Sequence, residues 1–261
     1  MTAAHADEPP TKVLYVGFEN MTRAKAFADM PYLQQLAGTY GEATQVSNPL
    51  DPSLPNYLAQ TFGNDFGITD DANPAHHPLP GQTVYGNAVA NGRTAHVYAQ
   101  DMVGNCELFN DVNGYYKVRH AGGLPYAVDE LALCEQIMTP METTFWPDVD
   151  AGALPNVGWL APSNRNNAHR PSTPDMADAW LQQVLPRIMA GPDYQSGQLV
   201  IVISTDEGND NDHIVPFVVV HPALAGISVD TPLTEADLYR AFLRYGGSVT
   251  TGPDDLTVFG L

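Results

Sequence analysis

Two adjacent carboxylates, Asp206 and Glu207, follow an unbroken aliphatic run (199–203) in the stretch LVIVISTDEGNDNDH. Five aliphatic residues in a row predict a strand buried on both faces of a parallel sheet. Open α/β sheets bind ligands at the carboxyl ends of such strands. Neighbouring carboxylates repel unless a cation or a shared proton compensates, so a hard divalent ion is their natural partner. The competing reading is a solvated acidic loop after a core strand. A second pair, Glu19-Asn20, ends the partly alternating stretch KVLYVGF (12–18), which predicts the first strand. Glu19 could instead sit in the first turn of the following helix, where the helix dipole favours a carboxylate. Its place at a strand end favours a functional role.

A nucleophile is available in NPLDPSLPNYLAQTFG (48–63). Ser53 precedes Leu54 and Pro55, a pattern that predicts an N-cap, and Gly63 ends the segment. Ser53 is then either an ordinary cap or a nucleophile at a helix N-terminus, where free N–H groups favour phosphate. Local sequence leaves both readings open. His120 lies beside Arg119 in an acid-rich chain and is a candidate catalytic group, although structural histidines are more frequent. The predicted strand NVGWLA (156–161) empties into PSNRNNAHR (162–170), whose amides, basic groups and His169 fit a site better than a plain turn. His76-His77 reads as surface loop, and His96 as a core or edge histidine of the predicted strand 94–100.

These residues need a scaffold. The chain has 261 residues, enough for one large α/β domain with a substantial core. We expect a flexible N-terminal segment (1–11) and one domain over 12–261. Thr22 predicts the start of a helix interrupted at Pro31, and residues 83–91 a short helix. Residues 127–138 predict another helix, and Thr173-Pro174-Asp175 opens a longer amphipathic one with Met176, Trp180, Val184 and Ile188 in its core stripe. IVPFVVV (214–220) reads as one further buried strand, and Thr234 to Asp237 as a capping-box start to the last helix. Alternating strands and helices give an α/β fold, a mainly parallel central sheet with helices on both faces.

A formal charge of −19 argues against nucleic acid and anionic lipid surfaces as unaided partners. A metal that reverses the sign locally still allows a small phosphorylated substrate. No apolar run reaches the ~18 residues of a membrane span. The start lacks the basic and apolar regions of a signal peptide, yet Ala4-His5-Ala6 looks like a cleavage site. A secreted, periplasmic or extracellular location is therefore expected, with the cytoplasm still open. Cys106 and Cys134 allow one disulfide or two free thiols.

The combination GFENMTR, DPSLPNYLAQTFG, YKVRHAGGLPY, APSNRNNAHR and STDEGNDNDHIVPFVVVHP resembles the phosphoesterase family. That family contains bacterial acid phosphatases and phospholipases C within the alkaline phosphatase superfamily. The resemblance runs from Val13 to Pro222 in the family's order. It implies an alkaline phosphatase-like fold and one divalent metal ion (Mg, Ca, Mn or Zn) held by Glu19, Asn20, Ser53, Asp206 and Glu207. It makes Ser53 both nucleophile and ligand. His120, His169 and His213 would contact phosphate or serve the leaving group. Asn56 and Asn166 are further expected substrate contacts, and Arg170, which stands where the family has Asp, either adds a phosphate contact or marks a loop rebuilt for another substrate. It also implies that Cys106 and Cys134 pair. Two departures stand out: Asp51 replaces a usual His, and Asn166-Asn167-Ala168-His169-Arg170 replaces Asn-Asp-Met-His-Asp.

The expected function is a metal-dependent phosphoesterase, foremost a phosphomonoesterase of the acid phosphatase type acting through phosphoserine, with His120 or His169 carrying protons. A phospholipase C or other phosphodiesterase is the enzymatic rival. A non-catalytic metal- and phosphate-binding protein on the same fold is the rival from another class.

Overall fold

The computed structural model describes residues 9–209, 211–251, 254 and 256–261. Ala4-His5-Ala6, most of the N-terminal segment and Asp210 lie outside the described residues. The strands are β1 (Lys12–Phe18), β2 (Gly41–Ala43), β3 (Val46–Ser47), β4 (Ala95–Ala99), β5 (Met138–Pro140) and β6 (Val157–Ala161). They continue with β7 (Leu199–Thr205), β8 (Ile214–Val215), β9 (Phe217–Val220), β10 (Ile227–Val229) and β11 (Leu233–Thr234). The helices are α1 (Arg23–Asp29), α2 (Pro31–Thr39), α3 (Ser53–Phe62), α4 (Val84–Ala90) and α5 (Leu131–Ile137). After them come α6 (Met141–Ala151), α7 (Pro174–Ala190), α8 (Pro192–Gln195) and α9 (Glu235–Tyr245).

The main sheet runs β10-β2-β9-β7-β1-β6-β4-β5, parallel throughout except for the reversed β9. Its two faces are written into the central strands residue by residue, because strand side chains alternate. Leu14, Val16 and Phe18 of β1 join Leu199, Ile201 and Ile203 of β7 in one core, packed with Leu33, Phe145 and Leu181. Val13 and Tyr15 join Val200 and Val202 in the other core, packed with Tyr57, Trp159, Leu238 and Phe242. The aliphatic run of β7 is thus buried on both sides, as expected for a parallel sheet covered by helices.

Several elements depart from the sequence expectation, among them the short β2, β3, β5, β10, β11 and α8, which were not expected. IVPFVVV is two strands: β8 pairs with β3 in a separate three-stranded sheet, and β9 belongs to the main one. Pro216, which has no N–H to give a ladder, sits at the break. Within 127–138 only 131–137 are α-helical, preceded by 3-10 turns. Helix α6 was not expected from METTFWPDVDA, whose internal Pro147 hides the pattern. Elsewhere Thr22 caps α1 by accepting from Lys25 N, Pro31 opens α2, and the Thr234–Asp237 capping box is present. Cys106 and Cys134 form a disulfide that closes a sequence separation of 28 residues.

Candidate active site

The parallel register of β1 and β7 brings the first two acids together. Phe18 pairs with Thr205, so the next residues, Glu19 and Asp206, emerge side by side at the carboxyl ends. Asn20 follows in a left-handed conformation (φ 54°), which turns its backbone N–H onto Asp206 Oδ1 at 2.9 Å. Its side chain is exposed, so Asn20 reaches the cluster through the backbone. Glu19 and Asp206 are buried, at 1% and 0% exposure.

Ser53 joins them from α3. It is the first helical residue rather than the expected N-cap; Pro52 holds that position, and no side chain of the cap residue makes a capping bond. The N–H of Leu54 is instead taken by the Asp71 carboxylate at 3.0 Å. With capping supplied by another residue, the buried Ser53 hydroxyl donates to Glu19 Oε2 at 3.4 Å. Tyr57, one turn along α3, donates to Glu19 Oε1. Asn56 braces the turn ahead of Ser53 by donating to the carbonyls of Leu50 (2.8 Å) and Pro52 (3.3 Å).

His120 enters opposite Ser53, with Nε2 3.3 Å from Glu19 Oε2. Its loop is fixed by Trp159 Nε1, which donates to the His120 carbonyl at 3.0 Å. Gly122 adopts φ 60°, and a Cβ there would collide with the Tyr85 hydroxyl and approach Trp159 at 2.9 Å. The loop after β6 supplies Asn167, a buried hub that the sequence placed in a candidate site loop without a role of its own. Its backbone carbonyl accepts from Glu19 N (2.9 Å), and its Oδ1 accepts from His169 N (2.9 Å). Since Oδ1 faces an obligate donor, Nδ2 must donate, to Asn164 Oδ1 at 3.1 Å and to His120 Nδ1 at 3.3 Å. His120 therefore carries its proton on Nε2, toward Glu19. For His169 the logic runs the other way. Nδ1–H donates to the Arg170 carbonyl at 3.0 Å, leaving Nε2 to accept from Arg119 Nη2 at 3.3 Å.

Arg119 and Asp71, like Asn167 and Tyr57, were not among the expected site residues. Arg119 Nε lies 3.1 Å from Asp71 Oδ2, so one carboxylate touches both the start of α3 and the cation. The adjacent-basic pattern Arg119-His120 was the one sequence signal for this arrangement. Other expected contacts fall outside the cluster. Arg170 is exposed and meets the site through its backbone carbonyl alone, and Asn166 donates to Gln100 Oε1 at 2.9 Å. Among the described contacts none joins the half-buried His213 side chain to the others. His77 pairs with Asp70 at 2.6 Å in the loop, and His96 bonds Thr139 at 2.8 Å.

The electrostatics are those of crowded, dry carboxylates. Burial, then the neighbouring Asp206, pushes Glu19 well above the carboxylate range, with Arg119 and Tyr57 opposing. Burial also raises Asp206, against hydrogen bonding from Ser53 and the Asn20 N–H. Glu207 is raised to about 8 by burial and then by Asp206, Asp51 and Asp71. His120 is pushed well below its usual value by burial, then by Arg119 and His169. Among the described residues, no group of three or more His, Cys, Asp and Glu side chains converges in metal-ligand geometry. The donor chemistry still fits a hard cation. Asp206 Oδ2 and Glu207 Oε2 are buried with no aligned donor, and a divalent charge would offset the burial that raises all three acids and the Asp206 charge that further raises Glu19 and Glu207.

A mainly parallel sheet with this cluster at its strand ends is the architecture of the alkaline phosphatase superfamily. A superfamily member from Vibrio parahaemolyticus superposes over 97% of this chain and 71% of its own, with TM-score 0.63 at 10% identity. Murine ectonucleotide pyrophosphatase/phosphodiesterase 5 matches 95% of this chain and 97% of its own, with TM-score 0.58 at 10% identity. The Phosphoesterase family pattern matches residues 20–249, and the chain belongs to that family, whose members are hydrolases of phosphoric esters. A curated relative, phosphatidylinositol-3-phosphatase of Mycobacterium tuberculosis, is 25% identical over 209 residues. That match covers 77% of this chain and 66% of the relative, so the chain spans just under two thirds of its length.

Proposed function

We propose that this chain is a metal-dependent phosphoesterase that acts foremost on phosphomonoesters through a phosphoserine intermediate. One observation carries the reading: the Ser53 hydroxyl starts α3 without serving as its cap and is held instead against Glu19, beside Asp206 and His120. Glu19, Ser53 and Asp206, with Glu207 and Asn20 alongside, are the residues proposed to hold one divalent cation. Bound there, the cation would neutralise charge on the phosphoryl group and lower the pKa of the Ser53 hydroxyl.

The chain's own groups then have separate tasks. Ser53 Oγ attacks phosphorus as its proton leaves along the hydrogen bond to Glu19 Oε2, and the ester P–O bond breaks so that the alcohol departs and is protonated from solvent. At the start of α3 the Ser53 N–H is the donor left for the transferred phosphoryl group, since Leu54 N is held by Asp71 and Pro52 and Pro55 carry no N–H. His120 offers its Nε2–H as a donor to a phosphoryl or leaving-group oxygen. Water then cleaves the phosphoserine, and Ser53 regains a proton. The hydrogen bonds favour His169 as a brace for Arg119 rather than a proton carrier, because its Nε2 lone pair is already engaged.

Phosphate esters of lipid-like alcohols enter the reading through the curated relative, and diesters through the murine phosphodiesterase. A single catalytic domain over residues 12–261, and an oxidising, extracytoplasmic setting for the disulfide, belong to the same proposal. Phosphate release from an aryl phosphate monoester and from the matching diester, with and without chelator, tests it. Chelator-sensitive turnover favouring the monoester is expected. Metal and phosphate binding without turnover would make the chain a binding protein.

A further inference from the structure

Of the eleven Lys and Arg residues, Arg119 is the only buried one among the described residues, at 9% exposure. Withdrawing a guanidinium from water costs several kcal/mol unless its donors are satisfied. The protein partners of Arg119 do not satisfy them. Of five N–H groups, the described contacts use one in an aligned hydrogen bond, from Nη2 to His169 Nε2. Nε is 3.1 Å from Asp71 Oδ2, yet it is buried and lacks an aligned acceptor, so this pairing is charge on charge. Asp71 is meanwhile committed to Leu54 N at the start of α3.

The direction of the cation is also informative. It sits between the Ser53 helix, anchored through Asp71, and the His120–His169 pair, whose ring centroids lie 5.8 Å apart. Its charge is felt by Glu19, Glu207 and His120, members of the cluster on three different segments. Guanidinium forks match phosphate oxygens in geometry and charge. Resting on the phosphoesterase reading, we propose that Arg119 is a catalytic residue. It grips a non-bridging oxygen of the phosphoryl group, while Asp71 and His169 hold its guanidinium in place and tie it to the nucleophile's helix.

The probe is inorganic phosphate, titrated by calorimetry into the metal-loaded protein, alongside steady-state hydrolysis of an aryl phosphate. Arg119→Ala should weaken phosphate binding by about 10-fold or more and lower kcat/KM by about 100-fold, the scale of a lost oxyanion donor. Arg119→Lys, which keeps the charge and loses the fork, should recover part of the phosphate affinity and less of kcat. It also serves if the alanine variant does not fold. Folded variants that bind phosphate like the wild type, with only a lower melting temperature, would reduce Arg119 to a structural ion and overturn the proposal. A wild type that binds phosphate through Arg119 but hydrolyses neither ester would overturn the phosphoesterase reading and leave the phosphate grip standing.

Discussion

Replacing Ser53 with alanine separates chemistry from architecture, because the structure makes its two costs unequal. The hydroxyl donates 3.4 Å to Glu19 Oε2, at the long limit for an O–H donor, with Asp206 as its other neighbour. Its net worth is about 1 kcal/mol, and alanine returns about half of that through helix propensity. Leu54 N keeps its Asp71 acceptor, so no cap is lost. Ser53→Ala should therefore stay within about 1 kcal/mol of wild type, against a typical total of 5–15 kcal/mol. Removing a nucleophile should lower turnover by three orders of magnitude or more, about 4 kcal/mol of barrier. Urea unfolding supplies the first number and aryl phosphate hydrolysis the second. With a competing alcohol present, wild type should pass part of its phosphoryl groups to it, and acid quenching should leave phosphate on the peptide containing Ser53. Near-normal turnover of the folded variant, with no label on any serine, would refute the covalent route.

Three further outcomes follow from the same geometry. Asp206→Asn should weaken divalent-metal binding by about 10-fold or more and, with chelator at neutral pH, stabilise the protein by about 1 kcal/mol, since it removes the charge that disturbs Glu19; calorimetry and thermal melts read both effects. Glu235 sits apart from the cluster, and burial raises it from 4.5 to about 7 with Oε1 unpartnered. Its folded state holds the proton more tightly, so its contribution is complete below pH 4.5 and lost as pH rises through 7. That loss is about 3 kcal/mol at most, and urea unfolding of Glu235→Gln should lack this part of the wild-type slope. Thiol titration of the denatured, unreduced chain should find no free thiol, and reduction should cost about 3–4 kcal/mol for a loop of this length.

The parts of this fold that were legible in the sequence are those where one physical signal acts alone. Runs buried on both faces gave β1, β6 and β7, and residues placed at their ends gave Glu19 and Asp206. The register that makes those acids neighbours depends on strand order, which no local pattern carries. Ser53 shows the opposite case. Its sequence context resembles a cap, but the cap function passed to Asp71, a residue 18 positions away in a loop that reads as surface. Arg119 and Asn167 were hidden for a similar reason: each is defined by partners on distant segments. Arg170, a more conspicuous basic group near His169, proved to be exposed.

Net charge bears directly on how such a site can work. A chain of formal charge −19 repels a dianionic phosphate at long range, so attraction must arise at contact distance. The crowded acids at the strand ends would worsen the repulsion if left uncompensated, and burial, with the Asp206 charge acting on Glu19 and Glu207, already raises their proton affinities. A divalent ion would convert the same acids from an obstacle into an anchor. Arg119 adds a positive charge near Ser53's helix start, fixed by a carboxylate, Asp71, that also accepts from Leu54 N. Phosphate held between a bound cation and this guanidinium would meet Ser53 Oγ from a defined direction, and a free phosphate anion outside that gap would find no comparable attraction. On the proposed reading the acidic surface and Arg119, the one buried arginine among the described residues, would act together, the first discouraging anions in general and the second admitting one in a set orientation.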